Sequence, residues 1–191
     1  MDLDYFSKAN AVVGVSEGGK NFDVVDGKAV LNAKNKNDKG GPTAYGITWQ
    51  TLNAAYASQQ VSHNDITKLT KAEADLIYRA RYWIPSKAGQ MPWGLCLIHY
   101  DNAVNAGVGQ AAKHLQQAIN ACGGGINVDG KIGPLTLAAM NACNQQKLEG
   151  EYLGIRAQFY KNIASRNPAQ NAFLKGWLNR IERVKNAISQ T

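Results

Sequence analysis

Only fourteen of the 191 residues are acidic, so each carboxylate can be weighed on its own. Most stand where a helix cap or a solvated helix face would hold them. Glu17 does not. It lies in VSEGGKNF, residues 15–22, where a segment with an apolar face runs into Gly18 and Gly19. A carboxyl group partly shielded at such a break has its charged form disfavoured, which raises its pKa. A carboxylic acid that stays protonated near neutral pH can donate a proton. Glycosidic cleavage needs that donor, because a sugar oxygen leaves poorly unless it is protonated as the bond breaks. The position equally suits a capping or salt-bridging carboxylate, and the residues alone leave both roles open.

The next constellation is DKGGPTAYGIT, residues 38–48. Asp38 is a second carboxylate, and Thr43 a hydroxyl able to hold a water or support an acid. Gly40, Gly41 and Gly46 permit a tight turn, and Thr48 is placed to cap a helix from Trp49. By itself this reads as a Gly/Pro turn entering a capped helix. Other chemistries have less support. No GxSxG elbow surrounds Ser16, and neither GxxxxGK[ST] nor GxGxxG occurs. His63, His99, His114, Cys96, Cys122 and Cys143 show no metal-ligand spacing, so no metal and no cofactor are expected. The cysteines are expected to be free, with Cys122 and Cys143 the pair for a disulfide in an oxidising compartment. The net charge of +7 suits a polyanion or an anionic wall, while no nucleic-acid motif accompanies it. No run of 18 apolar residues predicts a membrane-spanning helix. The N-terminus starts acidic without a basic n-region, so synthesis in the cytoplasm without a signal peptide is expected.

The elements that must position these residues are mostly helical. Leu3, Phe6, Ala9 and Val13 share one face of a helix over 3–16. Val24, Val25, Ala29, Val30 and Leu31 predict one short hairpin around Asp26-Gly27. Helices follow at 49–58 and from about 71. The latter starts on a Thr70/Glu73 capping box, with Ala72, Leu76 and Ala80 facing inward. Segments 93–106 and 109–121 also read as helices, and Pro134 suits the first turn of another. Leu148, Tyr152, Ile155, Phe159 and Ile163 form one apolar stripe. Phe173, Trp177, Ile181, Val184 and Ile188 form a second, opposite a polar face carrying Lys175, Arg180, Arg183 and Lys185. The fold class is mainly α.

SEGG at 16–19 followed by DKGGPTAYGIT resembles the signature of the family 108 glycoside hydrolases. These are lysozyme-like N-acetylmuramidases found mainly as phage and prophage endolysins. The family pattern is roughly EGG, then D-x-GG-x-T-x-x-GIT. This chain has Lys20 where the family usually has tyrosine, and a longer connection from Glu17 to Asp38. Downstream, LQQAIN at 115–120 and VDGKIGPLTLAAMN at 128–141 are similar to the family's peptidoglycan-binding-like segment. Arg156, Phe159-Tyr160 and GWLNR at 176–180 match its C-terminal landmarks. The likeness runs from about residue 5 to about 185, with the landmarks in order.

The resemblance implies a lysozyme-like fold with a small lobe, a larger helical lobe and a cleft between them. It implies a catalytic region over 1–95 and a helical peptidoglycan-binding-like region over 96–191, packed into one globule. Leu135, Leu137 and Met140 are expected to pack the DGKIGPLT element down. The implied substrate is peptidoglycan, cut between N-acetylmuramic acid and N-acetylglucosamine. Glu17 would be the acid, Asp38 would stabilise the oxocarbenium-like charge or orient water, and Thr43 would help place that water or Glu17. Asp101 is the reserve carboxylate. Tyr45, Tyr82, Trp83, Tyr100 and Trp177 are candidate stacking platforms for sugar rings, and Asn102 and Asn105 candidates for N-acetyl groups. A lytic transglycosylase and a non-catalytic wall-binding protein are the alternatives. A monomer is expected, with peptidoglycan as partner and neither nucleic acid nor membrane insertion. Made in the bacterial cytoplasm, it would act in the periplasm after holin release or other delivery.

Overall fold

The computed structural model describes residues 2–17, 19–32 and 41–190, without the side chains of 2–4 and 15–17. The elements in order are α1 (Asp2–Glu17), β1 (Phe22–Val25), β2 (Lys28–Leu31), β3 (Thr43–Ala44), β4 (Ile47–Thr48), α2 (Trp49–Ala57) and α3 (Lys71–Tyr78). A π-helical turn over Arg79–Trp83 leads into the single turn α4 (Ile84–Ser86). Then come α5 (Trp93–Ala106), α6 (Val108–Ala121), α7 (Pro134–Ala142), α8 (Gln145–Arg166) and α9 (Asn171–Ser189). The fold is mainly helical, as the periodicity predicts. The described residues hold two small hairpins rather than the one expected, because the two-residue strands β3 and β4 are too short to show alternation in sequence.

The chain divides into two compact units. An inserted unit holds residues 10–81, and a helical unit holds residues 1–9 and 82–191. The chain passes from one to the other within α1 and returns within the π-helical turn. Along α1, Phe6, Ala9 and Val13 are buried, as the stripe predicts.

In the inserted unit, β1 pairs antiparallel with β2 from Phe22↔Leu31 to Val25↔Lys28. Its turn residues Asp26 (φ 49°) and Gly27 (φ 74°) both take positive φ, the type I′ requirement. The second hairpin pairs Thr43 with Thr48 and Ala44 with Ile47. The Thr48 side chain caps α2 by accepting from the Thr51 N–H at 3.2 Å. The Thr70/Glu73 capping box forms as expected. The inward face of α3 is instead Ala74, Ile77 and Tyr78, and Leu76 points outward, 55% exposed. Both stripes are apolar, but only the observed one buries an aromatic ring whose hydroxyl has a partner (described below).

In the helical unit, α5 is buried over every residue from Gly94 to Ala103, the pattern of a central helix. α6, α8 and α9 pack on it. The α8 stripe is rotated from the expected one. Its buried residues are Leu148, Tyr152, Arg156, Tyr160 and Ala164, one every fourth position, with Arg156 inside. Arg180 of α9 is likewise buried rather than on the polar face. On α7, Met140 is buried but Leu135 is 81% exposed, so Thr136 and Ile132 seat this element instead. The VDGKIG loop before it is clamped by Gln116. The Gln116 Nε2 donates to Asp129 Oδ1 (2.7 Å) and to the Lys131 carbonyl (3.0 Å), while its Oε1 accepts from the Gly130 N–H (2.8 Å). The Gln116 bond, followed by one from the Lys131 N–H (2.8 Å), holds the Asp129 carboxyl below its ordinary range. All three cysteines are free.

Candidate active site

Glu17 is the last residue of α1; its side chain, and all of Asp38, lie outside the described residues. What is described is the chain that leaves Glu17 and the second hairpin laid along it. The Tyr45 N–H donates to the Gly19 carbonyl (3.1 Å), and the Asn21 N–H donates to the Thr43 carbonyl (3.1 Å). Lys20 and Ala44 form an antiparallel bridge. The Asn21 side chain doubles the join: its Oδ1 accepts from the Thr43 N–H (2.6 Å), and its Nδ2 donates to the Gly41 carbonyl (3.2 Å). Thr43 and Tyr45 therefore sit two to four residues past Glu17 in space, although more than twenty separate them in sequence.

The β3–β4 turn is Tyr45-Gly46, with φ of 53° and 75°. Type I′ turns favour Asn or Asp before the Gly, since a side chain at positive φ costs about 1 kcal/mol. Tyrosine is held there by the Gly19 bond and by the Tyr78 hydroxyl, which donates to the Tyr45 carbonyl at 3.0 Å. Tyr45 and Tyr78 line a cleft of about 260 Å³ together with Asn10, Gly14, Lys71 and Asp75. Asp75 Oδ1 accepts from Asn10 Nδ2 (2.7 Å) and pairs with the Lys71 ammonium. Asn10 and Gly14 precede Glu17 by seven and three positions, spacings that return to the same face of a helix. Nothing in the sequence marked Asn10, Lys71, Asp75 or Tyr78 as cleft residues, apart from that helical spacing of Asn10.

The remaining candidates lie in the helical unit. Tyr82 is half-buried. Trp83 (1% exposed) and Tyr100 (0%) are core residues, stacked edge-on with each other and with Phe6, so neither ring offers a face to a sugar. Trp177 stacks on Tyr160 at 4.9 Å. Asp101 is fully buried, pairing through Oδ2 with Arg156 (2.6 Å) and through Oδ1 with Arg180 (2.8 Å). It is a structural anion rather than a reserve acid. Asn105 gives its amide to the Tyr160 hydroxyl.

Asn102 belongs to a buried relay. His99 Nε2 lies 3.1 Å from the Ser86 carbonyl, which can only accept, so this nitrogen carries the proton. The single Tyr152 hydroxyl proton faces two acceptors, His99 Nδ1 (2.7 Å) and the Ala111 carbonyl (2.9 Å). The Asn102 amide nitrogen donates to that hydroxyl (3.2 Å) and to His114 Nδ1 (3.0 Å). His114 Nε2 lies 2.9 Å from the Gln110 amide nitrogen. Burial pushes His99 down to about 4, against the raising effect of the Ser86 bond, with the Arg156 charge also lowering it. Burial, then Arg156, pushes His114 down to about 4 as well. Both are neutral at physiological pH.

The sequence matches the family described as Glycosyl hydrolase 108 over residues 17–107, a span that opens on Glu17 and contains the whole inserted cleft after α1. Residues 110–182 match the Predicted Peptidoglycan domain. No curated protein matches. Among solved structures, that of Brucella abortus SagA is 32% identical, with a TM-score of 0.73, and the match covers 96% of this chain and 94% of that one. No helix among the described residues is long and apolar enough to cross a membrane. With both motifs, both matched regions and the helical architecture in agreement, the chain belongs to the glycosyl hydrolase 108 family and is a glycoside hydrolase whose partner is peptidoglycan.

Proposed function

We propose that the chain is an N-acetylmuramidase, cleaving the β-1,4 bond between N-acetylmuramic acid and N-acetylglucosamine with Glu17 as general acid. The observation that carries this reading is the backbone ladder joining residues 19–21 to 43–45, which supports Thr43 and Tyr45 as neighbours of the acid. The end of α1 adds to it. A helix C-terminus bears the negative end of the macrodipole, and no basic residue stands in the last turn of α1. Such an end favours a protonated carboxyl over a carboxylate, the state a general acid needs. Glu17 would protonate the leaving sugar oxygen as the bond breaks. Asp38 would stabilise the oxocarbenium-like charge or orient water, and the Thr43 hydroxyl would place that water. Tyr45 would carry a sugar ring against the cleft. Catalysis is proposed for the N-terminal region up to about residue 95, and wall contact for the remainder. The solved relative is from a bacterium, so the chemistry is proposed without a phage setting.

The test is digestion of purified peptidoglycan by the native protein and by Glu17→Gln, with fragments read by mass spectrometry. Reducing N-acetylmuramic acid ends from the native protein and at least a hundredfold less product from the variant are expected. Anhydro ends would assign a lytic transglycosylase instead. Equal cleavage by both proteins would remove Glu17 from the mechanism.

A further inference from the structure

A second cleft, of about 300 Å³, lies between α6 and α8 in the helical unit. Four of its lining side chains are carboxamides: Gln110 and Gln117 from α6, Gln158 and Asn162 from α8. Ile155 and Phe159 supply apolar surface beside them. The seventh is His114, 2% exposed and at the end of the buried relay. Among the described residues no charged side chain lines this cleft, in a chain that is 18% charged with a net charge of +7. All seven positions fall within the span matched to the Predicted Peptidoglycan domain.

The lining restricts the ligand. A carboxamide both donates and accepts, which suits hydroxyls and acetamido groups. A carboxylate ligand, such as a stem peptide, would call for Arg or Lys, and none is present. Phe159 is half-buried, set edge-on to His114 at 4.7 Å, and so is fixed beside the carboxamides. His114 is held by Asn102 on one nitrogen and meets Gln110 with the other, and the Gln158 amide donates to Asn162 Oδ1 at 2.8 Å. The Asn102 bond ties α6 to the packed α5, and the other two each span one turn, within α6 and within α8, so these groups have neighbours that orient them before a ligand arrives. The volume is at the low end for a ligand pocket, enough for a sugar unit rather than a strand.

We infer that the α6–α8 cleft is a second glycan site, taking an uncharged N-acetylhexosamine unit of the peptidoglycan strand away from the bond being cut. The ligand class rests on peptidoglycan being the substrate; the location rests on the cleft alone. The test uses isotope-labelled Glu17→Gln protein titrated with the β-1,4-linked tetramer of N-acetylglucosamine, followed by NMR. The side-chain amide signals of Gln110, Gln117, Gln158 and Asn162 should shift saturably. Replacing the exposed pair, Gln117→Leu with Gln158→Leu, should weaken binding at this cleft at least tenfold while the Tyr45 amide still responds. The inference is overturned if the tetramer moves only signals of residues 10–81, or if a free stem peptide moves the carboxamides and the sugar does not. Peptidoglycan digestion is a separate readout. Saturable shifts here with no cleavage by the native protein would sink the muramidase reading and leave this site standing.

Discussion

Tyr45 occupies a backbone conformation that its own side chain disfavours, in a turn where Asn would be more stable. Strain of this kind persists when the surroundings over-determine it, and two hydrogen bonds do so here. Its place in the cleft lining fits the proposal that the ring carries a sugar. Tyr45→Asn should keep the turn, since Asn tolerates positive φ. Folding stability measured in urea should stay within about 1 kcal/mol of the native protein, whereas peptidoglycan turnover should fall at least tenfold. A variant with unaltered turnover would show that the ring only fills space. The sequence already singled out Tyr45 by its motif. It did not reveal the positive φ, because Tyr-Gly is not a recognised I′ pair.

At the scale of elements, most helices were readable, because capping residues and apolar spacing agree. The Thr48 and Thr70 caps and the Pro134 start all stand where expected. Faces were harder. Leu76 and Ala74 belong to competing stripes on α3, and only tertiary contacts choose between them. On α8 the apolar pattern hid Arg156, since a buried cation needs a partner from another element, here Asp101 of α5. The same long-range pairing removed Asp101 and Arg180 from the roles their sequence context suggested. The DGKIGPLT element was recognised as a unit, but its anchor is Gln116, not Leu135. Gln116→Ala would leave the Gly130 N–H and the Asp129 carboxylate without these bonds. A loss of about 2 kcal/mol is expected, read by urea denaturation, together with faster hydrogen exchange at Gly130. Unchanged exchange there would mean that the loop is held by Ile132 and Thr136 alone.

For the whole molecule, the buried histidines tie stability to pH. His99 titrates at about 4 in the folded chain and near 6.5 unfolded. Between those values the unfolded chain binds more protons, so stability is complete above pH 6.5 and falls as pH drops towards 4. His99 alone should remove about 2 kcal/mol by pH 5, and His114 adds in the same direction. That loss begins well above the ordinary carboxylate range, which separates it from acid denaturation at Asp129, Asp65 and Glu73. Urea midpoints measured from pH 7.5 to 4.5 should decline throughout. A flat profile would mean that the relay stays accessible to protons.

The insertion of residues 10–81 between two parts of the helical unit also bears on how the chain is made. Phe6 packs edge-on against Trp83 and Tyr100. A ribosome adding about 5–20 residues each second delivers Trp83 several seconds after Phe6. The inserted unit is complete before the helical unit can bury its first aromatic residue. A nascent chain stalled short of Trp83 therefore presents Phe6 without the two rings that cover it, so a core residue made near the start waits for residues 83 and 100.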